Sequence, residues 1–197
     1  MDIKNYYKVY DKNKRFLRRI NQKDELQENN FLKGVTCFVV NKKGEVLIEQ
    51  RARKSKLMPG ELDLCSGHVD KEETYTQAMI REYAEELHSG SKEEQEKAIN
   101  EAINKLKPII ELDLHFKNKG KNRNFFIKFY TLLTENTDIN VQQEEIEEIL
   151  WIPMNECFEL IRKGKTKFPY DDRYEEIFEK VTSIYKGVEN PNNNITR

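Results

Sequence analysis

The sequence contains little cysteine, proline or glycine, and it has no long hydrophobic run. Its 197 residues include 3 cysteines, 5 prolines and 8 glycines. The cysteines are odd in number and widely spaced without a CxxC pair, which argues against a disulfide framework or a zinc site and predicts buried thiols. No apolar stretch approaches the roughly 18 residues that span a bilayer, and the first residues lack the apolar segment of a secretory signal. We therefore expect a cytoplasmic protein that makes no membrane contact.

Charge of one sign is also missing, because 34 basic residues are balanced by 35 acidic residues. This balance argues against an extensive nucleic-acid-binding surface. Hydrophobic residues make up 37% of the chain, which is enough for a buried core. The length fits one elaborated domain. We predict a hairpin arm at residues 1–30 packed on the core, a main domain at 31–186, and a disordered, Asn-rich tail at 187–197.

The hydrophobic pattern predicts an α+β protein in which helices cover a mixed sheet. A short hairpin is expected within residues 6–20. Further strands are expected at 34–41, 45–52, 109–116, 125–134 and 149–153. The first two of these read as a strand pair around a turn at 42–44, and the next two as strands joined by a basic loop at 117–123. Helices are expected at 74–88, 92–106, 154–163 and 171–186.

The predicted helix at 92–106 carries its own start signal. Ser91 precedes it and Glu94 follows three residues later, which is the spacing of a capping box. Its apolar residues define the stripe that we expect to be buried, namely Ile99, Ala102, Ile103 and Leu106.

Three acidic residues, Glu82, Glu85 and Glu86, crowd the end of the helix predicted at 74–88. Helical periodicity places them opposite an apolar stripe made of Ile80, Tyr83, Ala84 and Leu87. Like charges at this spacing repel by about 0.2–0.5 kcal/mol per pair, and Arg81 is the only cationic helical neighbour. Acidic groups near a helix C-terminus also oppose the helix dipole. A bound Mg²⁺ or Mn²⁺ would remove these penalties, since hard ions prefer carboxylate oxygens.

The spacing around these residues resembles the Nudix box, G-x5-E-x7-R-E-U-x-E-E-x-G-U, in which U is a bulky apolar residue. The matching residues are Gly67, Glu73, Arg81, Glu82, Tyr83, Glu85 and Glu86. Two positions depart from the pattern: His88 stands where the family usually has Gly, and Ser89 where it has an apolar residue. Both lie at the exit of the predicted helix, so they concern its exit turn more than the acidic residues.

The resemblance to the Nudix (MutT-like) hydrolases implies an α/β/α sandwich with a mixed sheet. The helix at 91–106 would then be an extra insertion after the box, whose role in shaping a pocket, making a dimer contact or simple packing stays open. The resemblance further implies that Glu82, Glu85 and Glu86 bind Mg²⁺ or Mn²⁺, helped by a backbone carbonyl near Ser66. The sequence leaves a homodimer open.

Structural roles in the site are implied for three further residues of the box. Gly67 begins the box, and Glu73 and Arg81 would form an internal ion pair that holds the loop against the helix. Such a pair matters for positioning rather than for stability when it is exposed.

The activity implied by the resemblance is hydrolysis of a diphosphate bond, often in a nucleoside diphosphate linked to another group. The carboxylate that accepts the proton of the water would be a box glutamate, Glu85 first and Glu82 second. Alternatively, a distal loop would supply the acid from the set Glu144, Glu145, Glu147 and Glu148.

Cations at the end of the strand predicted at 45–52 are candidates for phosphate binding. Arg51 lies at the end of this strand, and Arg53 and Lys56 follow it before Pro59. Arginine suits bidentate recognition of phosphate, and lysine acts as a point charge. The expected partner is accordingly a small-molecule diphosphate.

Two alternatives to hydrolysis remain open from the sequence. The stretch at 44–75 looks like the Nudix branch that includes isopentenyl-diphosphate isomerase, but Ser66 stands in the place of the catalytic Cys of that enzyme, with Cys65 one residue early. The second alternative is a Nudix-fold binding module without turnover. Such modules usually lose box glutamates, and this chain keeps them all.

Overall fold

The computed structural model describes residues 6–21, 24–54, 58–70, 72–118, 120–167 and 169–186. This part of the chain contains nine strands and four helices. In chain order they are β1 (Tyr6–Tyr10), β2 (Phe16–Asn21), β3 (Leu32–Val40), β4 (Glu45–Arg51), β5 (Leu62–Asp63), β6 (Cys65–His68), α1 (Tyr75–Leu87), α2 (Lys92–Lys105), β7 (Lys107–Asn118), β8 (Lys121–Leu133), β9 (Ile146–Pro153), α3 (Met154–Arg162) and α4 (Tyr174–Tyr185). The predicted tail at 187–197 and Lys56 lie outside the described residues.

Strand β3 is the centre of a mixed sheet. It pairs in parallel with β8 from Leu32 to Val40, and in antiparallel fashion with β6. Its side chains alternate between two buried clusters: Cys37 and Val39 face α1 and α2, whereas Phe38 and Val40 face α3 and α4. A strand buried on both faces reads as a continuous apolar run, as this one does. The predicted α+β sandwich is therefore confirmed.

The predicted pairing of the strands at 34–41 and 45–52 is wrong for most of their length. Only Val40 and Val46 are opposite one another. From Glu45 to Arg51, β4 instead pairs with β9, and β5 covers part of its other edge. The backbone groups of β4 are satisfied there, so β4 diverges from β3 after the turn.

The basic loop predicted at 117–123 is also shorter than expected. β7 and β8 continue through it, with Phe116 opposite Arg123, and a turn with Gly120 at a φ of 77° closes the hairpin. A tight turn needs only one residue at positive φ, which glycine supplies without steric cost. The polar residues around it are strand residues because backbone pairing does not require apolar side chains.

The expected hairpin at the N-terminal end is present, since β1 pairs with β2. Tyr10 and Phe31 exchange backbone hydrogen bonds of 2.9 Å, which join the hairpin to the start of β3. Asn124 of β8 donates to the carbonyl of Asn30 at 3.1 Å. These contacts fix where the hairpin lies relative to the central sheet.

The stripe predicted for the insertion helix α2 is partly wrong. Ala102 is buried as expected, but its buried companion is Ala98. Ile99 and Ile103 are exposed instead, Ile103 to 61%. Small residues let α2 lie close to α1, so the helix turns its alanine face inward and leaves the two isoleucines at the surface.

The start of α2 uses half of the expected capping box. The hydroxyl of Ser91 accepts a hydrogen bond from the backbone N–H of Glu94 at 3.1 Å. The carboxylate of Glu94 is engaged elsewhere, because both of its oxygens accept from the amide of Asn140 at 3.0 Å. The side chain thus ties α2 to the loop after β8 rather than to its own cap.

Two structural findings concern the few cysteines and the missing long hydrophobic runs. Cys37, Cys65 and Cys157 are free and buried, as predicted. None of the helices in the described ranges has the length and apolar character needed to cross a membrane. The longest of them, α2, has 14 residues, short of the roughly 20 that a bilayer requires.

Candidate active site

Helix α1 positions most of the candidate site, and its start is fixed by local chemistry. The hydroxyl of Thr74 accepts from the backbone N–H of Gln77 at 3.2 Å, and the side chain of Gln77 accepts from the N–H of Thr74 at 2.9 Å. This capping box satisfies two helix donors. The helix packs on β3 and β6 through its buried apolar residues, which are Ala78, Met79, Tyr83, Ala84 and Leu87.

The expected ion pair between Glu73 and Arg81 is present. Arg81 Nε donates to Glu73 Oε2 at 3.1 Å, and Arg81 Nη2 donates to Glu73 Oε1 at 2.9 Å. Nη2 also donates to the carbonyl of His68 at 3.0 Å. The planar guanidinium therefore links the loop before α1, the end of β6 and the helix itself.

Glu82 lies directly over Gly67. A side chain at position 67 would collide with the Glu82 carboxylate, so this close approach requires glycine. Arg81 Nη1 contacts Glu82 Oε1 at 2.8 Å. Burial raises the pKa of Glu82 to about 7, although the positive charge of Arg81 opposes this rise.

Glu85 has a different environment from its neighbours. Its side chain is 55% exposed, and it accepts a hydrogen bond from Arg81 Nη1 at 3.2 Å. Arg81, the only cationic helical neighbour identified from the sequence, therefore bridges Glu82 and Glu85 and partly balances their repulsion.

Glu86 contradicts the prediction that all three glutamates face away from the buried stripe. It is only 4% exposed, and its Oε2 has no hydrogen-bond partner among the described residues. Burial raises its pKa well above the ordinary range, and the nearby charge of Glu49 raises it further. Residues four apart share a helix flank, so Glu82 and Glu86 both turn toward the sheet, while Glu85 lies about 100° away on the solvent side of Glu86.

Two further buried groups lie beside Glu86, and the sequence analysis missed both. Glu49 of β4 is 1% exposed, and Cys65 of β6 is fully buried. Among the described residues, the group of potential metal ligands that lie within 4.8 Å of one another is Glu49, Cys65 and Glu86. Burial raises the pKa of Glu49 to about 8, and the charge of Asp63 adds to this effect. The available signal was a carboxylate directly after the apolar run Val46, Leu47 and Ile48 of β4.

Ser66 belongs to a buried polar cluster with Asp63 and Lys167. Its hydroxyl donates to Asp63 Oδ2 at 2.7 Å, and Lys167 Nζ donates to the same hydroxyl at 3.0 Å. Lys167 also forms an ion pair of 2.9 Å with Asp63. A hydrogen bond from the backbone N–H of Lys167 to the carbonyl of Leu62 holds Lys167 beside β5. Nothing in the local sequence around Lys167 indicated a role in this site.

Arg51 lies between Asp63 and the distal segment that contains Glu145. It is 8% exposed, and its guanidinium is 4.0 Å from both Asp63 Oδ2 and Glu145 Oε2. The distal segment is held nearby, because the N–H of Ala52 bonds to the carbonyl of Glu145 at 2.8 Å. A bond of 2.8 Å from the N–H of Gln142 to the carbonyl of Glu86 joins this segment to α1.

The other predicted phosphate and acid residues lie apart from this centre. The side chain of Arg53 is 80% exposed and contacts Glu147 Oε1 at 3.4 Å. Arg53 and Glu147 line a separate surface cavity of about 390 Å³. Glu144 and Glu148 are exposed. Arg51 and Glu145 are thus brought to the site, and Arg53 and Glu147 are not.

An aromatic stack closes one side of the site. Tyr7 of the N-terminal hairpin lies on His68 with ring centroids 4.3 Å apart, and His68 contacts Phe125 at 5.6 Å. Burial lowers the pKa of His68 to about 3, and Lys167 and Arg123 lower it further. His68 is therefore a neutral ring at physiological pH, surrounded by cations.

Comparisons with known proteins agree with the fold and the box. A family model described as NUDIX domain matches residues 30–174. An uncharacterized Nudix hydrolase of Nostoc sp. is 42% identical over 55 residues, which are 27% of this chain and 32% of that protein. The match therefore spans about a third of the length of this relative.

Two solved structures share the fold. DR0079 of Deinococcus radiodurans superposes with a TM-score of 0.62 at 20% identity, over 89% of this chain and 98% of that one. The NUDIX domain of Shewanella oneidensis NrtR, solved in complex with ADP ribose, superposes with a TM-score of 0.52 at 14% identity, over 78% and 88%. Identities this low concern the architecture alone.

Proposed function

Because the chain belongs to the Nudix hydrolase family, whose domain model matches residues 30–174, we propose that it hydrolyses a diphosphate bond with the help of Mg²⁺ or Mn²⁺. The substrate class that we propose is a nucleoside diphosphate linked to another group, or a similar small diphosphate. The ADP ribose bound to the Shewanella NUDIX domain is one compound of this class.

The observation that carries the proposal is the state of the carboxylates on α1. Glu82 and Glu86 turn inward, and Glu86 Oε2 is buried without a partner among the described residues. A buried polar atom without a partner costs about 1–3 kcal/mol. A cation bound between these carboxylates would offset that cost, so the residues present fit a hard divalent ion.

Glu82, Glu86 and the backbone carbonyl at Ser66 are the groups that we expect to hold this ion, with Glu85 reaching it from the solvent side. When bound, a divalent cation neutralises phosphate oxygens and lowers the pKa of a coordinated water. Gly67 contributes by leaving room for the Glu82 carboxylate. Arg81 keeps that carboxylate in place through its contact of 2.8 Å.

Glu82 is the group that we propose as the general base. Its carboxylate lies over Gly67 on the inner flank of α1, where it could accept the proton of a water molecule beside the expected ion. Glu85 was the first choice from the sequence. Its exposure to solvent makes it the weaker candidate, and it remains a testable alternative.

Substrate phosphates are expected to meet Arg51 and Lys167. Both cations lie at Asp63, and Lys167 also contacts Ser66, next to the start of the box. Their charges oppose the negative charge of the buried carboxylates, which allows an anionic substrate to approach. Lys56 stays a candidate for the same role.

The proposal is tested with metal-free protein that is given Mg²⁺ or Mn²⁺ and a panel of substrates. The panel contains ADP ribose and related nucleoside diphosphates, dinucleoside polyphosphates, coenzyme A and isopentenyl diphosphate. We expect metal-dependent cleavage that yields phosphate-containing products from at least one compound. Formation of dimethylallyl diphosphate would favour an isomerase, and tight binding without any product would favour a binding module; either result contradicts the proposal.

A further inference from the structure

Three potential ligands from three separate elements meet at the inner end of the site. Glu49 comes from β4, Cys65 from β6 and Glu86 from α1, and their ligand atoms lie within 4.8 Å of one another. Exposures of 1%, 0% and 4% show that the fold encloses all three. Two carboxylates and a thiol enclosed together form an unusual core for a protein domain, because charged groups are almost never fully buried unless they are paired.

Two of the carboxylate oxygens in this cluster have no partner. Glu49 Oε1 and Glu86 Oε2 are both buried without a hydrogen bond from any described residue. Lys167, whose charge acts on Glu49, forms an ion pair with Asp63 and a hydrogen bond with Ser66. Packing therefore leaves carboxylate oxygens from β4 and α1 without hydrogen bonds inside one enclosed cluster, which is the arrangement of a cation site.

The thiol decides which cation fits this cluster. Mg²⁺ and Mn²⁺ prefer oxygen ligands, whereas Zn²⁺ is bound by both cysteine sulfur and carboxylate oxygen. We propose that Glu49, Cys65 and Glu86 form a binding site for a thiophilic divalent cation, with Zn²⁺ as the best fit. The site goes beyond the proposed hydrolysis, with which it shares Glu86.

The dimensions of the cluster suit this ion. Zn–S bonds of about 2.3 Å and Zn–O bonds of about 2.0–2.2 Å place tetrahedral ligand atoms roughly 3.3–3.7 Å apart. The ligand atoms of the cluster lie within 4.8 Å of one another, which exceeds this tetrahedral spacing by about 1 Å at most, a difference within the reach of side-chain rotation. Binding breaks the S–H bond of Cys65 and releases its proton to solvent, since the thiolate is the ligand.

Sharing Glu86 has a functional consequence. The same carboxylate cannot serve both ions in the same way, so Zn²⁺ at the thiol is expected to compete with the Mg²⁺ or Mn²⁺ that supports turnover. The inference therefore predicts that low concentrations of Zn²⁺ inhibit the Mg²⁺-dependent reaction.

The direct test is a titration of the metal-free, full-length protein with Co²⁺, a spectroscopic probe for zinc sites. We expect a sulfur-to-cobalt charge-transfer band in the near ultraviolet, which one equivalent of Zn²⁺ abolishes by displacing Co²⁺. Cys65→Ser should remove the band and weaken Zn²⁺ binding at least about tenfold, as loss of metal-site partners does. Glu49→Gln should weaken Zn²⁺ binding as well.

Two other cysteines provide matched controls. Cys37 is the cross-strand partner of Cys65 between β3 and β6, and Cys157 lies on α3. Cys37→Ser and Cys157→Ser should keep both the band and the Zn²⁺ affinity. If Cys65→Ser fails to fold, the wild-type spectrum still decides the question.

A wild-type protein that shows no sulfur-to-cobalt band, or a band that persists in folded Cys65→Ser, would overturn the inference. Turnover with Mg²⁺ alone is measured in parallel on the wild-type protein. A band without turnover would contradict only the proposed hydrolysis, and turnover without a band would contradict only the thiophilic site.

Discussion

Helices α1 and α2 are similar in length and both rich in glutamate, yet they treat their carboxylates in opposite ways. On α2, Glu93 pairs with Lys97 at 2.9 Å and Glu101 pairs with Lys105 at 3.1 Å. Both are i,i+4 pairs, of which the first is exposed, whereas Glu101 is largely buried and also accepts a hydrogen bond from the hydroxyl of Tyr83 at 2.9 Å. On α1, the carboxylate of Glu86 is buried, and no described side chain donates to its Oε2. The number of glutamates therefore does not distinguish the two helices, whereas the absence of a described partner for a buried carboxylate oxygen does.

The difference can be expressed as a balance between stability and function. An exposed i,i+4 pair stabilises a helix by about 0.3–0.5 kcal/mol, so α2 gains a little from its charges. A buried carboxylate without a partner costs about 1–3 kcal/mol. The chain accepts this cost on α1 and avoids it on α2, which supports our proposal that the ion site lies on α1.

The largest effect that separates the two helices is on turnover. Glu82→Gln and Glu86→Gln should each lower kcat/KM roughly 10²–10⁴-fold, because they remove the proposed base and an ion ligand. Glu93→Gln on α2 is the matched control and should keep wild-type kinetics. Steady-state assays on a substrate found in the panel measure all three. Full turnover by both α1 variants would remove the distinction between the helices.

Helix α1 yields a second prediction through Arg81. Its guanidinium contacts Glu73, Glu82, Glu85 and the carbonyl of His68. Arg81→Lys keeps the charge but loses the planar fork, so we expect kcat/KM to fall roughly 10–100-fold through displacement of Glu82.

The control for Arg81 is Arg162, which binds Glu175 through two bonds of 2.8 and 2.7 Å between α3 and α4. Arg162→Lys changes the same kind of fork far from the carboxylates of α1 and should leave kcat/KM unchanged. Equal effects of the two substitutions would mean that Arg81 acts through general stability alone.

Sequence reasoning identified the box because its residues are fixed by local geometry. The row of Glu82, Glu85 and Glu86 follows from helical spacing, and the pair of Glu73 and Arg81 spans a short loop. Periodicity also gave the elements of the sandwich. It did not give Glu49, Asp63 or Lys167, since these reach the site through strand pairing and a long connection that no local pattern encodes.

The inward turn of Glu86 was missed for a related reason. Hydrophobic periodicity assigns any charged residue to the solvent side, and this rule fails where the buried side of a helix lines a polar site. The same rule misplaced Ile99 and Ile103 on α2, where the close approach of α1 favours alanine at the interface. In both helices the tertiary neighbour, and not the periodicity, decided the outcome.

The pH dependence of stability should show directly the cost of the buried carboxylates on β4 and α1. The folded-state pKa values of Glu49 and Glu82 are raised from 4.5 to about 8 and about 7, so the folded protein binds more protons than the unfolded chain between these limits. The free energy of unfolding of the metal-free protein should therefore fall as pH rises from about 4.5 to about 8.

Denaturant unfolding at about pH 5 and about pH 8.5 measures this fall. Glu49→Gln removes one of the titrating groups and should reduce it, and saturating Mg²⁺ should restore stability at the higher pH by mass action. A Glu93→Gln protein should behave as wild type. A fall of equal size in wild type and Glu49→Gln would show that the enclosed carboxylate of Glu49 is not its source.

The smallest effect is expected on α2. Lys97→Ala breaks only the exposed pair with Glu93, so the free energy of unfolding should change by no more than about 0.5 kcal/mol. Thermal melting measures the difference. A loss of several kcal/mol would show that α2 depends on its charges in a way that its exposed position does not suggest.

The central claim is that the carboxylates on the inner flank of α1 are held together by a divalent cation. Crystals soaked in Mn²⁺ and measured at the manganese absorption edge test it most directly. We predict an anomalous peak within bonding distance of Glu82 and Glu86 in the wild-type protein, and no such peak in Glu86→Gln. An empty inner flank in wild type, with Mn²⁺ absent or bound only at surface residues, would contradict the account.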